Sequence, residues 1–215
     1  KRQALARAVV FEPKIILMDE PLSALDKQLR EHMQIELRHL HETLGATTVY
    51  VTHDQREALT MSDRVAVLNH GRLIQLDKPR ALYDSPVDAF VADFVGESTL
   101  LPVRRHDNES VMLNGTRLRT TRPLPPGDDL ILVVRAEKLL PAARSASNVN
   151  LLPGRVREVV FQGESVAVFV ELGQGQTVVM RHPTNQDSLA TLPAAGQETT
   201  LSLHPESTIV VPAPR

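Results

Sequence analysis

Cysteine is absent from the 215 residues. That excludes a disulfide-stabilised secreted fold and fits a reducing compartment. No window approaches a run of apolar residues long enough to span a bilayer. Neither sign of charge dominates. The net value of -2 gives no global basic field to attract nucleic acid or an anionic membrane. Aromatics are scarce beyond residue 100, where only Phe161 and Phe169 occur. A local run of arginines (Arg104, Arg105, Arg117, Arg119 and Arg122) lies there, but stacking platforms for nucleic acid need more rings, so no nucleic-acid partner is expected. Lys1 to Ala8 alternates polar and apolar residues with a helical rhythm and does not read as a signal peptide. The first residue is Lys rather than Met, so the chain is expected to begin inside a longer protein.

What is present suffices for a real core. Hydrophobic residues make up 42% of the chain, and its length fits one or two domains. Eleven of the fifteen prolines lie after residue 100. The earlier part reads as helices alternating with strands, the later part as short strands broken by Pro and Gly. A boundary is expected near Gly96 to Leu100, giving regions 1–96 and 97–215. Arg2 to Val10 reads as the tail of a helix and Ile15 to Met18 as a strand buried on both faces. Lys27 to Leu44 reads as a helix with Leu29, Met33, Leu37, Leu40 and Leu44 on one face and Gly45 beyond its end. Thr47 to Val51 is strand-like. Asp54 opens a helix with Glu57 as its capping-box partner. Arg64 to Leu68 and Leu73 to Leu76 flank a hairpin turn with Gly71 as the left-handed residue. Pro79 starts a short helix. Val87, Phe90, Val91, Phe94 and Val95 form an amphipathic helix closed by Gly96. In the second region, Val166, Val168 and Val170 alternate with Phe169 and Glu171, and strands follow at Thr177 to Met180, Leu201 to Leu203 and Ile209 to Val211. The fold class is therefore α/β, too short in strands for a complete doubly wound sheet, followed by an all-β barrel or sandwich.

The stretch Ile15 to Asp26, IILMDEPLSALD, carries the chemistry. An apolar strand runs into two adjacent carboxylates, Asp19 and Glu20, and then Pro21. A strand ending in paired acids suits a metal ion or a phosphoryl group, which normally calls for a glycine-rich loop upstream. The fourteen residues before Ile15 contain no glycine. Asp19 is placed to reach Mg²⁺ through one of the waters that ion retains. Glu20, facing the other way if strand alternation holds, is free to orient or deprotonate a water. His53 follows the second strand, at the same end of a parallel sheet, where ligands of open α/β sheets bind. Taken alone, the acids suit a solvated strand end and His53 a surface or capping histidine.

Two longer stretches decide between these readings. LARAVVFEPKIILMDEPLSALD and VYVTHDQREALTMSDRVAVLNHGRLIQ resemble the ATP-binding subunit of an ATP-binding cassette importer, over Lys1 to Gly96. VVRAEKLLP and NLLPGRVREVVFQGES resemble the C-terminal OB-type domain, called TOBE, of importers for polyamines, sugars, iron or sulfate. The resemblance implies a P-loop ATPase domain whose Walker A loop and LSGGQ signature precede Lys1, so the chain is expected to be a C-terminal fragment. It also implies ATP and Mg²⁺ as cofactors, with Asp19 serving the metal, Glu20 polarising the attacking water and His53 contacting the terminal phosphate. Ser23, Ala24, Leu25 and Asp26 resemble the D-loop, which places Ser23 and Asp26 at the nucleotide interface. The implied partners are a second ATP-binding subunit, transmembrane permease subunits and a periplasmic solute-binding protein. The implied location is the cytoplasmic face of the inner membrane. FVGESTLL resembles the interdomain segment of polyamine importers.

The family pattern is not followed everywhere. Gln3, Asp77 and Ala136 stand where a small apolar residue, glycine and proline are common, which bears on packing and not on the carboxylates. His32, His39 and His41 lack the i, i+4 spacing of a helical metal site and read as a solvated face. Gly173 and Gly175 sit between strands and read as a hairpin turn. A non-enzymatic regulatory and dimerisation module is the competing reading of the chain as it stands. The loop and lysine that cradle the β- and γ-phosphates are not among these residues, so the chain alone is expected not to hydrolyse ATP. Turnover by the purified chain above that of its Glu20→Gln variant is the result that contradicts this.

Overall fold

The computed structural model describes residues 13–142, 147–184 and 192–213. The helix expected over Arg2 to Val10, with Gln3, lies outside the described residues. The chain divides into two compact units between Leu82 and Tyr83.

The first unit begins with two parallel strands. β1 (Ile15–Asp19) and β2 (Thr47–Val51) pair with Ile15 opposite Thr47 and Asp19 opposite Val51. Helix α1 (Lys27–Leu44) makes the crossover. Asp26 caps it by accepting the Leu29 N–H at 2.9 Å, and Gly45 ends it with φ 61°. These are the bounds that the leucine spacing and the glycine predict. α2 (Gln55–Met61) follows, then the hairpin of β3 (Val65–Asn69) and β4 (Arg72–Asp77). Its turn is His70-Gly71, with φ 47° and 73°. Both residues are left-handed, because that turn matches the twist of the strands, whereas the sequence assigned the role to Gly71 alone. No helix among the described residues is long and apolar enough to cross a membrane.

The second unit is antiparallel β. Short helix α3 (Pro79–Asp84) contains the division, and α4 (Ala89–Phe94) leads into the sheets. One sheet has the order β14-β8-β5-β6-β7, formed by Ile209–Pro212, Asp129–Arg135, Ser98–Arg105, Ser110–Leu113 and Thr116–Arg119. The other has the order β12-β11-β10-β13-β9, formed by Gln176–Pro183, Ser165–Gly173, Asn150–Phe161, Glu198–Leu203 and Leu140–Pro141. Inward side chains of both, among them Leu132, Val134, Leu152, Val168, Met180 and Leu201, form one core. Gly173 and Gly175 adopt positive φ in the β11–β12 hairpin, as their spacing predicts.

Strand β8 is buried on both faces. Leu130, Leu132 and Val134 enter the main core, while Val133 on the other face packs with Ala89 and Ala92 of α4 and with Ile209 and Val211. Arg135 continues that outer face and is only 1% exposed. Its guanidinium donates to the carbonyls of Ala92 (2.9 Å) and Tyr83 (3.2 Å) and to the Ser98 hydroxyl. It also lies 4.2 Å above the Tyr83 ring, a cation–π contact. Burial pushes Arg135 down from its ordinary pKa. The Tyr83 hydroxyl is pushed up, by burial first and then by its 2.5 Å bond to Glu137. Gly96 completes the cluster. A Cβ there would stand 2.9 Å from the Tyr83 ring, and its φ of 128° already excludes most side chains.

These contacts move the expected boundary. The compositional shift at 96/97 marks where strands begin, but the packing unit starts at Tyr83, because Arg135 and Val133 hold Tyr83 and α4 against the sheet. The buried face of α4 matches the expected one at Val91 and Val95 and departs from it at Val87, Phe90 and Phe94. Ala89, Val91 and Ala92 are buried, while Phe90 and Phe94 stack on each other at 6.1 Å and stay partly exposed. Small alanines let the helix approach the sheet closely, where bulkier rings do not fit. Leu132→Ala, at a fully buried core position, is expected to lower stability by about 2–5 kcal/mol. Leu140→Ala, at a half-exposed one, should change it by less than about 0.5 kcal/mol. Denaturant unfolding followed by circular dichroism checks both.

Candidate functional site

The parallel pairing of β1 and β2 sends both chains out at the same end of the sheet. The Glu20 N–H donates to the Val51 carbonyl at 2.8 Å, which extends the ladder one residue past Asp19. Glu20 then turns into the left-handed region at φ 42°. The separation of Glu20 from Asp19 therefore comes from this turn and not from the strand alternation expected. The turned carboxylate meets the histidine that leaves β2: Glu20 Oε1 lies 2.9 Å from His53 Nδ1. Side-chain exposures of 47% for Glu20 and 74% for His53 leave the pair open to solvent.

The other candidates occupy the same loop. Ser23 donates its hydroxyl to the Glu20 carbonyl at 3.0 Å, and the Leu25 N–H bonds the Leu22 carbonyl at 3.1 Å. Asp26 is the N-cap of α1. Within this chain Ser23 and Asp26 thus shape the turn that carries Glu20. Asp19 is exposed at the end of β1, and no described residue hydrogen-bonds or pairs with its carboxylate. No group of three or more metal-ligating side chains exists among the described residues. A single free carboxylate fits Mg²⁺, which keeps several waters and takes one or two carboxylates with substrate phosphates, and does not fit a cation needing an all-protein cage.

Sequence reasoning missed the support beneath His53. Glu57 is 2% exposed and its Oε2 accepts from the Tyr50 hydroxyl (2.7 Å) and the Thr52 hydroxyl (2.8 Å). It does not complete a capping box. The Asp54 N–H instead donates to the Thr52 hydroxyl at 3.0 Å, while the Asp54 carboxylate accepts the N–H groups of Arg56 (2.9 Å) and Glu57 (3.1 Å). The Tyr50 hydroxyl is pushed well above its ordinary pKa, by burial first and then by the bond to Glu57. Tyr50 near the end of β2 and Thr52 just past it are two apart, followed by an acid in the first turn of a helix, and that spacing is the signal that could have revealed the network.

Elsewhere, several of the side chains flagged in the sequence have partners within the structure. His41 Nδ1 lies 3.2 Å from the Thr48 hydroxyl. Arg117 pairs with Asp107 at 2.7 Å, Arg105 donates to the Gly127 carbonyl and Arg122 to the Glu206 carbonyl. A cavity of about 480 Å³ in the first unit is lined by Met18, Leu37, Leu44, Tyr50, Met61 and Leu76. Its wall also includes Arg38, His41, Asp63 and Arg64, and it touches neither Glu20 nor His53.

Residues 132–211 match the TOBE domain family. The chain is similar to importer ATP-binding subunits over most of its length. It is 42% identical over 193 residues to the spermidine/putrescine import ATP-binding protein PotA of Ruegeria pomeroyi, covering 87% of this chain and 52% of that protein. It is 44% identical over 185 residues to the protein of the same name from Pseudomonas aeruginosa, covering 82% of this chain and 51% of that protein. For the Thermotoga maritima protein of that name the identity is 40% over 185 residues, with 81% and 50% covered. The chain spans about half the length of the curated relatives it matches. These matches accord with the C-terminal part of an ATP-binding cassette importer ATPase. A solved structure of the cytoplasmic molybdate-binding protein ModG, with molybdate bound, covers 54% of this chain and 96% of its own at 16% identity and a TM-score of 0.45.

Proposed function

We propose that the protein carrying this chain is the ATP-hydrolysing subunit of an importer for polyamines of the spermidine and putrescine kind. The observation that carries this reading is the 2.9 Å contact between Glu20 and His53 at the carboxyl end of two parallel strands. The relatives named above support the choice of solute. The first unit is then the closing part of a P-loop ATPase domain. Mg²⁺, when bound with ATP, would neutralise charge on the phosphates, and the Asp19 carboxylate would be the residue that holds it. Glu20 orients the attacking water and accepts its proton. His53 donates from its ring to the terminal phosphate. Ser23 and Asp26 sit on the loop that meets a second copy of the subunit, so that two copies enclose two nucleotides. Permease subunits and a periplasmic solute-binding protein complete the importer, and this subunit works at the cytoplasmic face of the inner membrane.

The test is Glu20→Gln in the intact subunit with its permease. The amide keeps the shape but takes no proton, so solute-stimulated turnover should fall by at least about 100-fold while nucleotide affinity stays within about twofold. Loss of nucleotide affinity with the fold intact counts against Glu20 as the base.

The second unit, in this reading, self-associates across the subunit pair. Phe161, 68% exposed, and Val159, 38% exposed, lie near the tip of the β10–β11 hairpin and support that assignment. Light scattering of the chain at micromolar concentration should give a dimer that Phe161→Glu weakens. A monomer mass for the unaltered chain contradicts it.

A further inference from the structure

We propose that Arg30 and Glu57 are positioning residues for His53, fixing the peptide on either side of it and tying it to the loop that carries Glu20. The inference rests on the reading of Glu20 and His53 given above. His53 itself is largely exposed, and its contact to Glu20 is the one that defines the site. An exposed side chain holds a geometry only if its backbone is fixed. Here it is fixed from both neighbours. Thr52, before it, is bound through its hydroxyl to the buried carboxylate of Glu57 at 2.8 Å, and Tyr50 donates to the same Oε2 at 2.7 Å. Asp54, after it, donates its N–H to Thr52 and caps α2. Asp54 Oδ2 then accepts from Arg30 Nη1 at 3.0 Å.

Arg30 makes the connection to the other loop. It stands in the first turn of α1, the helix that starts where the Glu20 loop ends. Its Nη2 donates to the Leu25 carbonyl at 3.0 Å, inside that loop. One planar guanidinium thus holds Leu25 with one nitrogen and Asp54 with the other. Its Nε lies 3.8 Å from Glu57 Oε1, so the buried carboxylate is also balanced by the nearby cation. A buried carboxylate is costly unless hydrogen-bonded and paired, and this one is both. The arrangement has little tolerance for change. A lysine ammonium keeps the charge but lacks the rigid fork that spans two acceptors. A glutamine at 57 keeps the volume and one oxygen for the two hydroxyls but loses the charge and turns an amide nitrogen, a donor, toward the Arg30 cation.

The experiment uses the intact ATP-binding subunit assembled with its permease, assayed with ATP. Arg30→Lys and Glu57→Gln should lower kcat by about 10- to 100-fold, the loss typical of a small misplacement of a reacting group. KM for ATP should stay within about twofold, as neither residue touches nucleotide in this reading. Glu42→Gln, on the exposed face of α1 where its carboxylate pairs only with Arg38 among the described residues, should leave both constants unchanged. Single-turnover assays with excess protein then repeat Arg30→Lys in a His53→Gln background. The loss should shrink to less than about threefold there, because a residue acting through His53 has nothing left to position. If Glu57→Gln fails to fold, Tyr50→Phe, which removes one of the two donors to Glu57, takes its place with a smaller fall in kcat. Undiminished turnover in both Arg30→Lys and the Glu57 or Tyr50 variant, with His53→Gln strongly impaired, overturns this inference alone. So does an equal Arg30→Lys loss with and without His53. Unimpaired turnover in His53→Gln overturns the underlying reading of the site and the inference with it.

Discussion

The candidate site depends on the parallel register of β1 with β2. Two strands that run the same way deliver their exits to one end of the sheet, and the Glu20 N–H to Val51 bond fixes how far apart those exits lie. A slip of one residue would flip every side chain of one strand to the other face. Asp19 would exchange places with Met18, and Glu20 would lose the bond from which it turns. Everything beyond the strand ends is local by comparison: the Ser23 turn, the Asp26 cap and the Asp54 cap each satisfy backbone groups that the sheet and helices leave open.

The fold was legible in the sequence where its determinants are local. The leucines of α1 and Gly45 just beyond its end lie close together in sequence and mark its face and its stop. The alternation of Val166, Val168 and Val170 needs no distant partner to be read as a strand face. Legibility failed where a contact spans the chain. Nothing near Arg135 in sequence tells that its guanidinium is buried against Tyr83, 52 residues earlier. For the same reason the compositional boundary at 96/97 missed the packing boundary at Tyr83, and of the apolar residues expected on the buried face of α4 only Val91 and Val95 are buried, with Ala89 and Ala92 in place of the rings.

The site was legible in its parts but not in its joints. Asp19, Glu20 and His53 stand out as residue types after strands, and the structure brings Glu20 and His53 into contact. The means of that contact was hidden. The left-handed φ of Glu20 is imposed by the Val51 bond and the Ser23 turn together, and no propensity of glutamate announces it. Glu57 looked like a capping partner because its spacing from Asp54 is right. Two hydroxyls, one on β2 and one just beyond its end, compete for its carboxylate, and a buried acid takes the donors that leave it best satisfied.

The burial of Arg135 also bears on when parts of the second unit can form as the chain leaves the ribosome. Helix α4 has six residues, far below the roughly 12–15 that an isolated helix needs to persist in water. Its carbonyl partner at Ala92 waits for Arg135, 43 residues downstream, and its apolar partners include Ile209 and Val211 at the far end of the described chain. The segment of this unit that is synthesised first can therefore complete its contacts only after the final strand has been made.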